Sequence, residues 1–267
     1  MRIFQSYPGQ VKVILSTNIA ETSVTIPGIR FVVDSGLVKI RTYKNSTGID
    51  ALKVDAVSKN SSTQRAGRAG REAPGKCFRL YSEETFSTLE DHTVPEILRC
   101  NLSGVILNLK AIGIKDVSTI DFIDKPSQQG YLSAFQILIK LGALSPQTAE
   151  LTDFGKEMAI LPTEPVYSKL LVTSLKDEYL DIQPSISAIV ALLSVENILY
   201  TPKGQEKEVI KKRKKFVNPD SDHLTLLSIL NFFAEVVRTK SKKEAVAFAR
   251  EHYLNDKSLL KAMLIQA

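Results

Sequence analysis

The chain has 267 residues, 43% of them hydrophobic and 24% charged, with a net charge of +6. That balance is the one soluble globular proteins have, and the length allows two or three domains of about 100 to 150 residues each. Two cysteines, Cys77 and Cys100, and three histidines exclude a disulfide scaffold and leave no zinc-ligand set, so an intracellular, reduced protein is expected. No apolar run approaches the roughly 18 residues a membrane span needs. The N-terminus carries no signal-peptide pattern.

In chain order, four runs early in the chain have buried-strand patterns rich in Val, Ile and Phe: VKVILS (11–16), RFVVDSG (30–36), LKVDAVS (52–58) and KCFRLY (76–81). Short strands with a helix between them predict an α/β layer. Ten residues precede the first of these strands, so the layer is expected to be truncated at its N-terminus. From Pro95 the pattern turns helical through PEILRCNLSGVILNLKAIGI. GYLSAFQILIKLGALS (130–145) predicts an amphipathic helix ending at Gly142, and AELTDFGKEMAILP a short β-wing and a helix, together a winged-helix pattern. After Pro165, VYSKLLVTSL, QPSISAIVALLSV, DHLTLLSILNFFAEVV, KKEAVAFAREHYL and KSLLKAMLIQA predict a helical bundle. Asp220, Ser221 and Asp222 are N-cap candidates for the third of these. KKRKK (211–215) is expected to be a solvated charge run, with a localisation signal or an RNA contact as its alternatives.

Two segments concentrate chemistry. STNIAETSVTIPGI (16–29) follows a strand pattern with hydroxyl and amide side chains, the place where open α/β sheets bind ligands. Thr17, Asn18, Ser23 and Thr25 are its candidate phosphate donors, and helix capping or turn formation is the competing use of the same residue types. QRAGRAGR (64–71) sets Arg65, Arg68 and Arg71 at every third position. On a helix they would step by about 300° and fan over about a third of the circumference as one cationic face. Gly67 and Gly70 would each cost such a helix about 1 kcal/mol relative to alanine. Close approach of a partner to the backbone explains them better than propensity does. Guanidinium groups on such a face suit phosphate oxygens, and a solvated basic helix start is the plainer alternative. GREAPGKC (70–77) satisfies G-x-x-x-x-G-K, but Cys77 stands where a Ser or Thr would hold magnesium, and the segment precedes a strand, so it is rejected as a phosphate loop.

Taken together, these segments make the sequence resemble the DEAH-box group of RNA helicases: STNIAETSVTIPG is similar to motif V, and QRAGRAGR to motif VI, of the second RecA-like lobe. VVDSGLVK, TGIDALKVDAVSK, PGKCFRLYSEETF, TVPEILRCNLSGVILNLKAIGI, LGAL, LTDFGKEMA and KKFVNPDSDHLTLL extend the likeness over nearly the whole chain. The resemblance implies an α/β plus α fold: a truncated second RecA-like parallel-sheet lobe (1–92), a winged helix (93–164) and a ratchet-like helical bundle (165–267). It implies that Arg68 and Arg71 are arginine fingers reaching the β- and γ-phosphates of ATP held on a first lobe, and that Gln64 orients the attacking water. Ser23, Thr25 and Gly67 join the two arginines as the nucleotide-binding set, with Ser23 coupling nucleotide state to RNA grip. Thr17 would contact an RNA phosphate, with Asn18 beside it. Residues 37–58 would form a β-hairpin directed toward the RNA channel, with Lys39, Arg41 and Lys44 as phosphate neighbours. Pro27 stands where many members have a ribose-binding aspartate, and a proline cannot make that contact.

No Walker A loop, acidic box or S-A-T pair occurs in the chain. The resemblance therefore implies that Mg²⁺ and most ATP contacts come with a first lobe, that the isolated chain does not hydrolyse ATP, and that it stops before an oligonucleotide-binding fold. The expected function is the C-terminal part of an ATP-dependent RNA helicase. It would act on single-stranded RNA or an RNP as a monomer without a membrane, with a protein activator as a further partner. TSVTIPG and the KKF…DHLTLL ending look closest to members associated with ribosome production, which implies the nucleus or nucleolus. A non-enzymatic RNA-binding adaptor and a winged-helix DNA binder are the rival readings. Gln64, Arg68 and Arg71 favour the enzyme, and FQILIKLGAL offers a DNA groove only Lys140.

Overall fold

The computed structural model describes residues 2–44 and 49–266. The start of TGIDALKVDAVSK, at Thr47 and Gly48, lies outside the described residues. The elements are α1 (Ile19–Thr22), β1 (Phe31–Asp34), β2 (Leu37–Lys44), β3 (Ile49–Ala56), α2 (Lys59–Gly67), β4 (Lys76–Arg79), α3 (Glu83–Thr88), α4 (Ser103–Ala111), α5 (Gln128–Leu141), α6 (Asp153–Ile160), α7 (Pro165–Ser174), α8 (Gln183–Leu193), α9 (Glu206–Arg213), α10 (Asp222–Thr239), α11 (Lys242–Glu251) and α12 (Asp256–Gln266). The chain divides into two compact units, Met1–Leu102 with Ser118–Ala134, and Ser103–Val117 with Phe135–Ala267.

In the first unit β1 and β4 pair in parallel from Phe31↔Lys76 to Asp34↔Arg79. The chain between them includes α2, as a parallel connection requires. β2 and β3 form an antiparallel hairpin from Leu37↔Ala56 to Lys44↔Ile49. Gly36 makes the turn from β1 into β2 with φ +72°, and a Cβ there would lie 2.6 Å from the Tyr81 ring, so both its backbone and its bareness are required.

Two expected core strands are corrected. VKVILS forms no strand: Val11, Val13 and Leu15 are 94%, 80% and 95% exposed. The alternation is a strand's, but a strand exists through ladder pairing, and residues 11–16 pair with nothing among the described residues. LKVDAVS is not a buried parallel strand either. Residues 51–56 are exposed on the hairpin, and the chain enters the core only at Val57.

α2 is held by polar contacts rather than an apolar stripe. Ser58 caps it by accepting from the Ser61 amide at 3.2 Å, and Ser62 is its one buried residue. Its inward polar groups determine where the arginines that follow can go.

In the second unit α5 ends where expected, with Gly142 at φ +79°. The Leu144↔Leu151 bridge is the β-wing, and Thr152 then caps α6 through the Gly155 amide at 2.9 Å. A Cβ at Gly155 would sit 2.1 Å from the Ala143 carbonyl, so glycine is what lets the helix start lie against the wing. Farther on, Leu192, Ile229, Leu230, Phe233, Leu254 and Leu259 form one buried core drawn from α8, α10, the turn after α11, and α12. Ser221 caps α10, accepting from the His223 and Leu224 amides, and Ser241 with Glu244 forms a capping box on α11. These local signals are the ones the sequence displays.

KKRKK is corrected from a solvated loop to a structural segment. It ends α9 and enters the turn beyond it. Lys212 pairs with Glu251 at 2.8 Å. Arg213 donates to the carbonyls of Tyr200 (2.7 Å), His252 (3.1 Å) and Tyr253, and the Lys215 ammonium lies 4.9 Å from the Phe216 ring centroid and 5.2 Å from that of Phe248. Among the described residues no helix is long and apolar enough to cross a membrane.

Candidate functional site

The first chemical segment is a turn. Thr17 and Asn18 accept from the Ala20 and Glu21 amides, at 3.3 and 2.9 Å, and start the single turn of α1. The Asn18 side chain makes no capping bond, so capping does not occupy it. Thr17, Asn18, Ser23 and Thr25 are exposed, and Ser23 Oγ lies 3.5 Å from Thr22 Oγ1. Glu21, which the sequence reading passed over, is the buried residue of α1.

The second segment is not one helical face, contrary to the expectation. α2 stops at Gly67, Arg68 is its C-cap, and Arg71 lies beyond in a bend. With glycine at 67 and again at 70, little propensity carries the helix further. Gln64 remains on the exposed side of the last turn.

Arg65 departs furthest from its expected role. It turns inward, donating through Nε to Glu21 Oε1 at 2.7 Å, and through Nη1 to Asp34 Oδ1 at 2.7 Å and the Leu37 carbonyl at 3.1 Å. Its side chain is 15% exposed, that of Glu21 11%, and that of Asp34 0%. Asp34 is satisfied on its other sides by the Gly36 amide at 3.0 Å and the Tyr81 hydroxyl at 2.9 Å. Because Tyr81 donates to Asp34, Ser62 must donate to Tyr81 across their 2.6 Å contact, and Arg79 Nε donates to Ser62 at 3.1 Å. The result is a directed chain of bonds, Arg79 to Ser62 to Tyr81 to Asp34, meeting Arg65 and Glu21.

Burial alone would push the Asp34 carboxyl up. The Gly36 amide, Arg65 and Tyr81 more than offset it and hold the group below the usual carboxylate range. Burial would likewise lower Arg65, but Asp34 and Glu21 raise it further above its already high value. Burial, chiefly, pushes the Tyr81 hydroxyl up, so it stays protonated and donating.

Arg68 and Arg71 are held differently. Arg68 Nη1 is buried and, among the described residues, is the one buried side-chain nitrogen or oxygen without a hydrogen-bond partner. Arg71 Nη1 donates to Thr25 Oγ1, and the Gly28 amide donates to Glu72 Oε2 at 2.9 Å. Thr25 and Arg71 are therefore brought together from positions 46 apart.

The three glycines around these arginines differ. A Cβ at Gly67 or Gly70 would meet nothing within 4 Å, and neither has a positive φ. Nothing within the described chain requires glycine there. Gly75 is the opposite case: a Cβ would lie 2.3 Å from the Ala69 carbonyl and 2.5 Å from that of Arg30. GREAPGKC thus runs into β4 through a packed glycine rather than cradling a phosphate.

Lys39 and Arg41 lie exposed on β2, opposite Val54 and Leu52 in register, in the sheet formed by β2 and β3 alone. Arg99 donates to the Arg41 carbonyl at 2.6 Å and accepts from the Tyr43 amide at 2.7 Å, bracing this strand from outside. Among the described residues no group of three or more His, Cys, Asp or Glu could hold a metal ion.

Three family models match successive parts of the chain: the helicase conserved C-terminal domain at residues 1–73, the winged-helix helicase associated domain (HA2) at 134–163, and its ratchet-like counterpart at 164–226. The chain is 45% identical over 268 residues to the pre-mRNA-splicing factor ATP-dependent RNA helicase DEAH10 of Arabidopsis thaliana, over 97% of this chain and 37% of that protein. It is 43% identical to the mouse ATP-dependent RNA helicase DHX33, over 100% of this chain and 37% of that protein. It is 41% identical to the Schizosaccharomyces pombe pre-mRNA-splicing factor ATP-dependent RNA helicase prp22, over 98% of this chain and 22% of that protein. The chain spans little more than a third of the longest-covered of these relatives.

Proposed function

We propose that this chain, which belongs to the DEAH-box family of RNA helicases, supplies the arginine side of an ATP site and part of the RNA path of a longer ATP-dependent RNA helicase. The observation that carries the reading is the sorting of the three arginines. Arg65 is consumed inside, whereas Arg68 is held with a buried Nη1 that no group among the described residues satisfies. A buried, permanently charged donor without an acceptor is costly. Phosphate oxygens would satisfy it once the guanidinium turns outward to meet them.

In this reading Arg68 and Arg71 neutralise charge on the β- and γ-phosphates as it builds during transfer, and Gln64, one turn earlier, orients the water. Ser23, Thr25 and Gly67 line the nucleotide side, with Thr25 fixing Arg71. Thr17 and Asn18 take RNA phosphates from the exposed turn, and Lys39 and Arg41 add charge along the hairpin. ATP is the substrate, and Mg²⁺ arrives with it on a first lobe. Single-stranded RNA, free or in an RNP, is the partner, gripped through backbone and stacking with little sequence preference. A monomer, a protein activator and the division at 1–92, 93–164 and 165–267 belong to the same proposal. The pathway we assign is nuclear RNA processing. Ribosome production rests on the KKF…DHLTLL ending, and the two relatives named as splicing factors put splicing beside it.

The open space at Gly67 gives the test. In the full-length protein, Gly67→Ala should leave stability unchanged or raise it by up to about 1 kcal/mol, since alanine suits a helix better. Its methyl would stand where the nucleotide approaches, and misplacement by about 1 Å costs on the order of 100-fold in turnover. RNA-stimulated ATP turnover and thermal unfolding measured together decide it. Unchanged turnover would remove the partner from Gly67 and return the arginines to a solvated surface.

A further inference from the structure

The role of the Glu21–Arg65–Asp34 cluster goes beyond supporting the fold. We propose that Glu21 and Arg65 are positioning residues that make ATP turnover depend on RNA, an inference that rests on the function proposed above. Glu21 is the buried residue of α1, the turn whose exposed residues face RNA in that reading. Its carboxylate meets Arg65 in the last turn of α2, three residues before Arg68. The other end of the same guanidinium is fixed to Asp34 and the Leu37 carbonyl. A shift of α1 on RNA engagement thus has one short path to the arginine that meets phosphate: Glu21, Arg65, the end of α2, Arg68.

The properties of this path suit transmission rather than cohesion alone. A guanidinium is a rigid planar fork, so displacing one acceptor reorients it against the other. The cluster is nearly closed to water, where charged hydrogen bonds are strong and directional. Asp34 is held by the Tyr81 hydroxyl, itself bonded to Ser62 of α2, and by the Gly36 amide, so the Asp34 end has more anchors than the Glu21 carboxylate, whose partner is Arg65. The second link between the two segments, Thr25 to Arg71, uses a residue already placed at the nucleotide. Glu21–Arg65 joins them through groups that touch neither ligand.

The test compares the full-length protein and its variants for ATP turnover with and without saturating single-stranded oligo-uridine, at fixed salt, alongside thermal unfolding. Glu21→Ala cuts the α1 end while leaving Arg65 on Asp34. We expect turnover without RNA within twofold of wild type and the RNA stimulation ratio reduced at least tenfold. Glu21→Asp keeps the charge but shortens the reach by one methylene, and should lose stimulation similarly, so the idea stays exposed to test if the alanine variant fails to fold. Glu21→Gln keeps an acceptor for Arg65 Nε and should restore most of the ratio. A wild-type ratio in Glu21→Ala or Glu21→Asp, or a proportional loss of turnover with and without RNA, would overturn the proposal and leave the cluster structural. Arg68→Ala in the same assay separates the two claims. If it too leaves turnover intact, the proposed ATP site itself has failed.

Discussion

In the full-length protein, Arg68→Ala lowers RNA-stimulated ATP turnover about a thousandfold, the effect expected for a positioned arginine finger, without weakening the fold. The second half of this expectation gives it its force. Most substitutions of a half-buried arginine remove contacts and destabilise. Here the buried Nη1 has no acceptor among the described residues, so alanine relieves an unsatisfied donor, and thermal stability should hold or rise. A residue that costs the folded state something while serving its chemistry is the pattern expected of a functional group. Parallel losses of stability and turnover would identify Arg68 as structural instead.

Arg65→Met gives the opposite profile, losing stability first. Removing the guanidinium leaves the fully buried Asp34 carboxylate, and Glu21 beside it, without their cation. Breaking a buried pair in this way costs about 3–5 kcal/mol. The pH dependence has a definite sign. In the wild type Asp34 is held below its ordinary value, so its contribution is present above about pH 4 and is lost as pH falls through the folded value. In the variant the Gly36 amide and Tyr81 remain but the share of the offset that Arg65 supplies is gone, so the carboxyl moves up and protonation costs the folded state less. The deficit is therefore largest at neutral pH and narrows on acidification. Urea unfolding of both proteins at pH 7 and at pH 4.5 checks this, and an equal deficit at the two pH values would rule out the charge account.

The contrast between these two arginines marks the boundary of what the sequence discloses. That QRAGRAGR carries more charge than a surface helix needs is legible from the octet, and so is the unsuitability of its glycines for a helix. Which arginine faces inward is not, because the acceptors stand 44 and 31 positions away at Glu21 and Asp34. A faint signal existed: Asp34 closes a strand pattern and Glu21 sits among the apolar residues of α1, each an acid where burial was to be expected. The apolar helices of the second unit are legible because apolar spacing, Ser221 and Gly142 act within a few residues of themselves, whereas α9, charged along most of its length, is not. VKVILS was misread because alternation describes a face and cannot supply the neighbouring strand. KKRKK is misread because a count of charges does not reveal the carbonyls of Tyr200, His252 and Tyr253, or the Phe248 ring, that the fold brings to it.

The most direct measurement is a structure of the full-length protein with ADP, aluminium fluoride and single-stranded RNA. The account predicts guanidinium nitrogens of Arg68 and Arg71 within about 3 Å of the fluoride or β-phosphate oxygens, Arg65 still on Asp34, and Thr17 against an RNA phosphate. Arg68 and Arg71 found on RNA phosphates, with the fluoride met by other groups, would contradict it.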